Sequence, residues 1–133
     1  MPVVHSAIEP TAHGTSRVRI VDANGTRFIY VSGQVAMNEN REVLHGGDFR
    51  RQCEYVFGQL VSRLAQGGAK VSDLVKITVF LSDFRYFPIL AEVRKGILPS
   101  PGPTSSAIQV AGLAHPDLLI EVEGFAVTES PKS

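Results

Sequence analysis

Three features of the sequence predict an α+β fold in which two helices cover one face of a mixed sheet. Short segments rich in β-branched residues are interleaved with two longer segments of helical period, in the order β-β-α-β-α-β-β. A chain of 133 residues with 44% apolar and 20% charged residues has the composition of one globular core, so residues 1–133 read as a single domain. No repeat, linker or low-complexity tract interrupts the order.

Residues 16–22 (SRVRIVD) alternate Val18 and Ile20 with Arg17 and Arg19, the period of a strand with one wet face. Asn24-Gly25 follows, a pair that tolerates the positive φ angles of a tight hairpin, and RFIYVSGQV over 27–35 supplies the returning strand. In 48–66, Phe49, Cys53, Val56, Phe57, Leu60, Val61 and Leu64 recur at helical spacing. Asp48 precedes that helix and Gly67-Gly68 supplies its left-handed end. LVKITVFL over 74–81 is short and β-branched, hence a buried strand.

The spacing of Phe87, Leu90, Ala91, Arg94, Ile97 and Leu98 predicts a second helix over 84–98, N-capped by Ser82-Asp83, with Pro88 tolerated near its start. After the proline-rich PSPGPTSS loop, SSAIQVAGL (105–113) and LLIEVEGFAV (118–127) read as strands separated by the turn residues Ala114-His115-Pro116-Asp117. Helices occupy one sheet face. The strands at 74–81 and 118–127 carry more apolar residues than a face open to water would hold, so self-association through the second face is expected.

Thirteen basic residues balance thirteen acidic ones, which leaves no bulk charge to hold nucleic acid or an anionic membrane surface. No apolar run approaches the roughly 20 residues that a spanning helix needs, so no membrane partner is expected. MPVVHSAIEP is not a basic segment leading into an apolar one, and the single cysteine, Cys53, has no internal partner. The expected address is the cytoplasm.

FIYVSGQV (28–35), the RRQCEYVFGQL helix, the run from Gly67-Gly68-Ala69 through VSDLVKITVFLSDF, and IEVEGFAV (120–127) resemble, in order and spacing, the RidA (YjgF) family, from about Gly14 to Val127. The resemblance implies a chorismate-mutase-like fold and a homotrimer whose sheets pack around a central barrel, with ligand clefts between subunits. It also implies hydrolysis of small enamines and imines to 2-oxo acids and ammonia, with no metal or organic cofactor. In that chemistry an arginine binds the substrate carboxylate as a bidentate partner and a glutamate places the water.

Carried over residue by residue, the family's glutamate matches Glu121, and its small cleft-floor residues match Ser32 and Gly33. Its arginine, in a Pro-x-Arg-Ser context, meets Pro103-Thr104-Ser105-Ser106, so Ser105 stands in its place. The aromatic residue of a Gly-Pro-Tyr segment is missing from Gly14-Thr15-Ser16-Arg17, and the asparagine of the second helix aligns with Ala91. The departures lie in the site and the scaffold is kept.

Glu121 and Glu123, two apart on a strand, should point to one face, where each raises the other's pKa; an outward polar face is the competing reading. Ser105 can donate to a ligand oxygen but has no neighbouring base to make it a nucleophile. A buried ligand carboxylate needs a cation, and Arg17 and Arg94 are the substrate-binding candidates, against the alternative of solvent-facing charges. Cys53 belongs to the apolar stripe. The four histidines lack metal-ligand spacing, and Gly46-Gly47 is not followed by a phosphate-loop lysine. Two functions therefore stand: a hydrolase or deaminase acting on a small C–N substrate with altered specificity, or a trimer of the same fold that binds a small metabolite without turnover. Nucleic-acid cleavage ranks last.

Overall fold

The structure, a computed structural model, describes residues 2–132. Six strands form one sheet: β1 (Val4–Pro10), β2 (Ser16–Ala23), β3 (Thr26–Val35), β4 (Leu74–Leu81), β5 (Thr104–Gln109) and β6 (Ile120–Glu129). Helices α1 (Phe49–Gln66) and α2 (Phe87–Ile97) pack on it. The strand order is β1-β2-β3-β6-β4-β5, antiparallel throughout except for β4 and β5, which run parallel because α2 carries the chain across between them.

Two expectations are corrected. The sheet is not closed into a barrel: β1 and β5 lie at opposite edges, and closure would require the two to pair. The sheet also has six strands rather than five, because VHSAIEP pairs antiparallel with β2 from Val4↔Asp22 to Pro10↔Ser16. The expected hairpin is present, with Asn24 and Gly25 at φ 53° and 81°.

Helix α1 begins where its cap predicts: the Asp48 side chain accepts from the Arg51 N–H at 3.1 Å. Gly68 takes the left-handed conformation, φ 86°, just past its end. The face of Phe49, Cys53, Val56, Phe57, Leu60 and Leu64 is buried on β3 and β6, whereas Val61 turns outward and is exposed. Cys53 lies wholly in the core, and burial pushes its thiol up to about 12, which leaves it unreactive at neutral pH.

The second helix starts three residues later than its periodicity suggests. Phe84–Tyr86 forms a 3-10 turn, and α2 proper begins at Phe87 with Pro88 in its first turn. A proline ring clashes with the carbonyl four residues back, so a continuous α-helix from Phe84 is blocked. Asp83 caps the 3-10 turn by accepting from the Arg85 N–H at 2.9 Å. Leu90 and Val93 are its buried residues, and it packs beside α1.

The sheet face away from the helices carries an aromatic row. Phe125 stacks on Tyr30 at 4.7 Å and on Phe28 at 6.4 Å, and Tyr30 is 49% exposed. Ile108 and Val75 are also exposed. Among the described residues no helix is long and apolar enough to cross a membrane.

Candidate functional site

The site begins with an irregularity in β3. Pairing with β6 runs through Val31↔Gly124 and resumes at Gln34↔Val122, so Ser32 and Gly33 together face Glu123 alone. Such a bulge sends two successive residues to one side of the strand. β2 stops pairing with β3 at Val18↔Val31, so beyond that point the edge of β3 is open. Buried Gln34 fixes the bulge, its Nε2 donating to the Ser32 carbonyl at 2.9 Å.

A cavity of about 330 Å³ occupies the gap, lined by Arg17, Gly33, Tyr55, Arg63 and Glu121 among others. Glu121 is half-buried, and a Cβ placed on Gly33 would lie 2.5 Å from its Oε2, so only glycine leaves the carboxylate room there. Burial, and then the charge of Glu123, raise the Glu121 pKa above its ordinary 4.5. No hydrogen bond from the described residues reaches that carboxylate to stabilise its charge, in keeping with the direction of the shift. Alternation along β6 buries Ile120 and Val122 and turns Glu121 and Glu123 to the same side, as their spacing requires.

The expected site residues divide among three cavities. Glu121, Gly33 and Arg17 share the one just described. Ser32 lines a second, of about 310 Å³, on the aromatic face with Arg19, Tyr30, Lys76 and Glu123. Ser105 and Arg94 line a third, of about 630 Å³, between α2 and the proline-rich loop, with Ala91, Lys95, Leu98 and Pro103. There Arg94 Nη1 donates to Ser105 Oγ at 3.0 Å, and the guanidinium lies 5.8 Å from the centre of the Phe87 ring.

Sequence reasoning missed Tyr55 and Arg63, which reach the Glu121 cavity from α1. Arg63 pairs with Glu9 at 2.9 Å, with 16% of its side chain exposed, and its Nε is buried without a partner. Tyr55, Gln59 and Arg63 recur every four residues, a polar flank beside the apolar stripe. That spacing was the available signal. The site also depends on Glu9, which belongs to the unforeseen β1.

Comparison with known proteins agrees with this architecture. The family model described as Endoribonuclease L-PSP matches residues 7–128. A 2-iminobutanoate/2-iminopropanoate deaminase of Dermatophagoides farinae is 33% identical over 101 residues, 76% of this chain and 78% of the relative. The 3-aminoacrylate deaminase RutC of Acinetobacter baylyi is 33% identical over 99 residues, 74% and 78% of the two chains. Among solved structures, RidA from an Antarctic Psychrobacter bacterium superposes with a TM-score of 0.75 at 32% identity, covering 91% of this chain and 98% of that one. From its sequence and its fold alike, the chain belongs to the Endoribonuclease L-PSP family, the RidA/YjgF proteins.

Proposed function

We propose that this chain hydrolyses a small imine, or an enamine once protonation at carbon and loss of an N–H proton have turned it into the imine: water adds to the C=N carbon, and the C–N bond then breaks to leave an oxo compound and ammonia. The apposition of Glu121 to the bare backbone of Gly33 carries the reading. As the water oxygen bonds to carbon it must lose a proton, and the nitrogen must gain one before it leaves. A half-buried carboxylate with a raised pKa is a stronger base than an exposed one and, once protonated, a donor to the departing nitrogen. One water is consumed and one ammonia released, and the balance closes without a cofactor.

Ser105 is assigned a hydrogen bond to the ligand, and Arg17 supplies positive charge in the Glu121 cavity. The relatives support the substrate class, being named for 2-imino acids and for 3-aminoacrylate. The working unit is a homotrimer, in which the Ser105 cavity of one subunit and the Glu121 cavity of the next join into one cleft. In favour of this, the two cavities are separate within one chain, β5 has a free edge, and the sheet face away from the helices leaves Tyr30 and Ile108 exposed. Because Ser105 stands where the family's arginine is expected, turnover of 2-iminopropanoate should be weak beside that of arginine-bearing relatives.

Ammonia release from freshly generated 2-iminopropanoate and 3-aminoacrylate tests the reading once the spontaneous rate is subtracted. Glu121→Gln is expected to slow the reaction by about 100-fold or more, the scale of a lost general acid–base group. If neither substrate reacts faster than in buffer while 2-oxobutanoate still binds, the chain is a ligand-binding trimer without turnover, the reading that the loss of a β5 arginine favours.

A further inference from the structure

We infer that Arg94, supplied by helix α2 and oriented by Ser105, is the residue that holds a ligand carboxylate, in the cavity between α2 and the loop preceding β5. The inference rests on the small C–N substrate reading above and narrows it to carboxylate-bearing compounds.

A guanidinium has five N–H donors and no acceptor, so its surroundings reveal whether its charge is already answered. Arg94 directs one nitrogen to the Ser105 hydroxyl, a neutral acceptor, at 3.0 Å, and its guanidinium carbon lies over the Phe87 ring, 5.8 Å from its centre. Both contacts fix the direction of the group, and neither neutralises it. Among the described residues Arg94 has no carboxylate partner; its neighbour on the helix, Glu92, is bound instead to Arg50 at 3.0 Å. Lys95 adds a second cation to the cavity wall, and no acidic side chain lines it. The cavity is therefore net positive, with one half-buried guanidinium tethered by Ser105 and most of its donors without a protein partner among the described residues.

The bland reading places Arg94 and Lys95 in the last turn of α2, where cations answer the helix dipole. Lys95 fits that description. Arg94 instead reaches across to β5, eleven residues along the chain, and the small Ala91 side chain one turn earlier keeps the space in front of it open. A planar fork facing an acid-free cavity is complementary to a carboxylate, which accepts two parallel hydrogen bonds.

The probe is 2-oxobutanoate, a stable carboxylate, titrated calorimetrically into the full-length protein in its native assembly, with butanone as the uncharged control. Arg94→Gln is expected to weaken 2-oxobutanoate binding at least about tenfold, the scale of a lost charge-assisted pair. Arg94→Lys should retain part of the affinity. Ser105→Ala should weaken binding by about two- to fivefold, through orientation alone. Arg94→Ala/Ser105→Arg, which moves the guanidinium from helix to strand, should bind more tightly than Arg94→Ala, a rescue that a merely structural role for Arg94 would not produce. Native-like affinity in Arg94→Gln, or no 2-oxobutanoate binding by the native protein at millimolar concentration, overturns the inference. Arg94-dependent binding without ammonia release would leave the carboxylate site standing and sink the catalytic reading; Glu121-dependent turnover with Arg94-independent binding would do the reverse.

Discussion

A side chain at residue 33 would compete with the Glu121 carboxylate for one volume, because the Cβ and Oε2 would be 2.5 Å apart. The carboxylate is the far end of a flexible side chain and gives way more readily than the strand does. Gly33→Ala should therefore fold with a melting temperature within a few degrees of native, yet lose about tenfold or more in ammonia release, since reacting groups misplaced by about 1 Å lose rate steeply. Differential scanning calorimetry beside the ammonia assay separates the two effects. Glu121 also makes a pH prediction. Its folded pKa is raised above 4.5, so the native state holds the proton more tightly than the unfolded chain; the resulting stabilisation is complete below about pH 4.5 and is lost as pH rises through the folded value. Glu121→Gln removes that dependence and should melt higher than native at pH 7, with the gap closing by about pH 4. A gap that does not change with pH would show that the carboxylate is as well solvated folded as unfolded. Glu121 and Gly33 entered as candidates through the family resemblance; from the residues alone only the shared side of Glu121 and Glu123 was legible, because a strand's alternation survives without tertiary knowledge. Their separation from Ser105 was not, since nothing in one chain's order of residues says which edges of a sheet meet.

Buried polar residues decide how the elements are joined. Gln52 is fully buried on α1, where its Oε1 accepts from the Leu119 N–H at 2.9 Å and its Nε2 donates to the carbonyls of Asp117, at 3.0 Å, and Leu44, at 3.2 Å. One side chain thus ties α1 to the loop before it and to the residues leading into β6, the strand that carries Glu121. Gln52→Ala would leave that N–H and those carbonyls unsatisfied and should cost about 2–4 kcal/mol in denaturant unfolding. A change below about 1 kcal/mol would mean that water replaces the amide. In the sequence Gln52 looks like one more polar helix position, because propensity and period do not register a partner 67 residues away. Helix α1 itself was legible to within a residue, since Asp48, the apolar stripe and Gly68 mark its start, face and end. β1 was not: every residue in it but Ile8 is exposed, and a strand with neither face buried leaves no period to read.

At the scale of the molecule the two faces of the sheet differ. The helices bury Val18, Ile29, Ile77, Val79 and Val122 on one side, while Tyr30, Phe28 and Phe125 form a stacked row on the other with Val75 and Ile108 exposed. A large aromatic surface left in water is costly, and self-association is the common remedy for a small neutral chain with no net charge to keep copies apart. The sequence carried the excess of apolar residues that pointed to self-association through this face; it did not carry the geometry of the cover, and the barrel that the resemblance implied is absent, since the sheet is open. If the trimer unites the Ser105 and Glu121 cavities, assembly and turnover must fail together. Light scattering at about 10 μM should give three times the 14.4 kDa chain mass. Tyr30→Asp places a charge in the stacked row but touches neither the α1–sheet core nor the cavity that holds Glu121. It should give a folded 14.4 kDa species, unchanged in far-ultraviolet circular dichroism, that releases no ammonia above the buffer rate. A native protein that scatters as a monomer, or a monomeric Tyr30→Asp variant with full activity, would place the whole site within one chain.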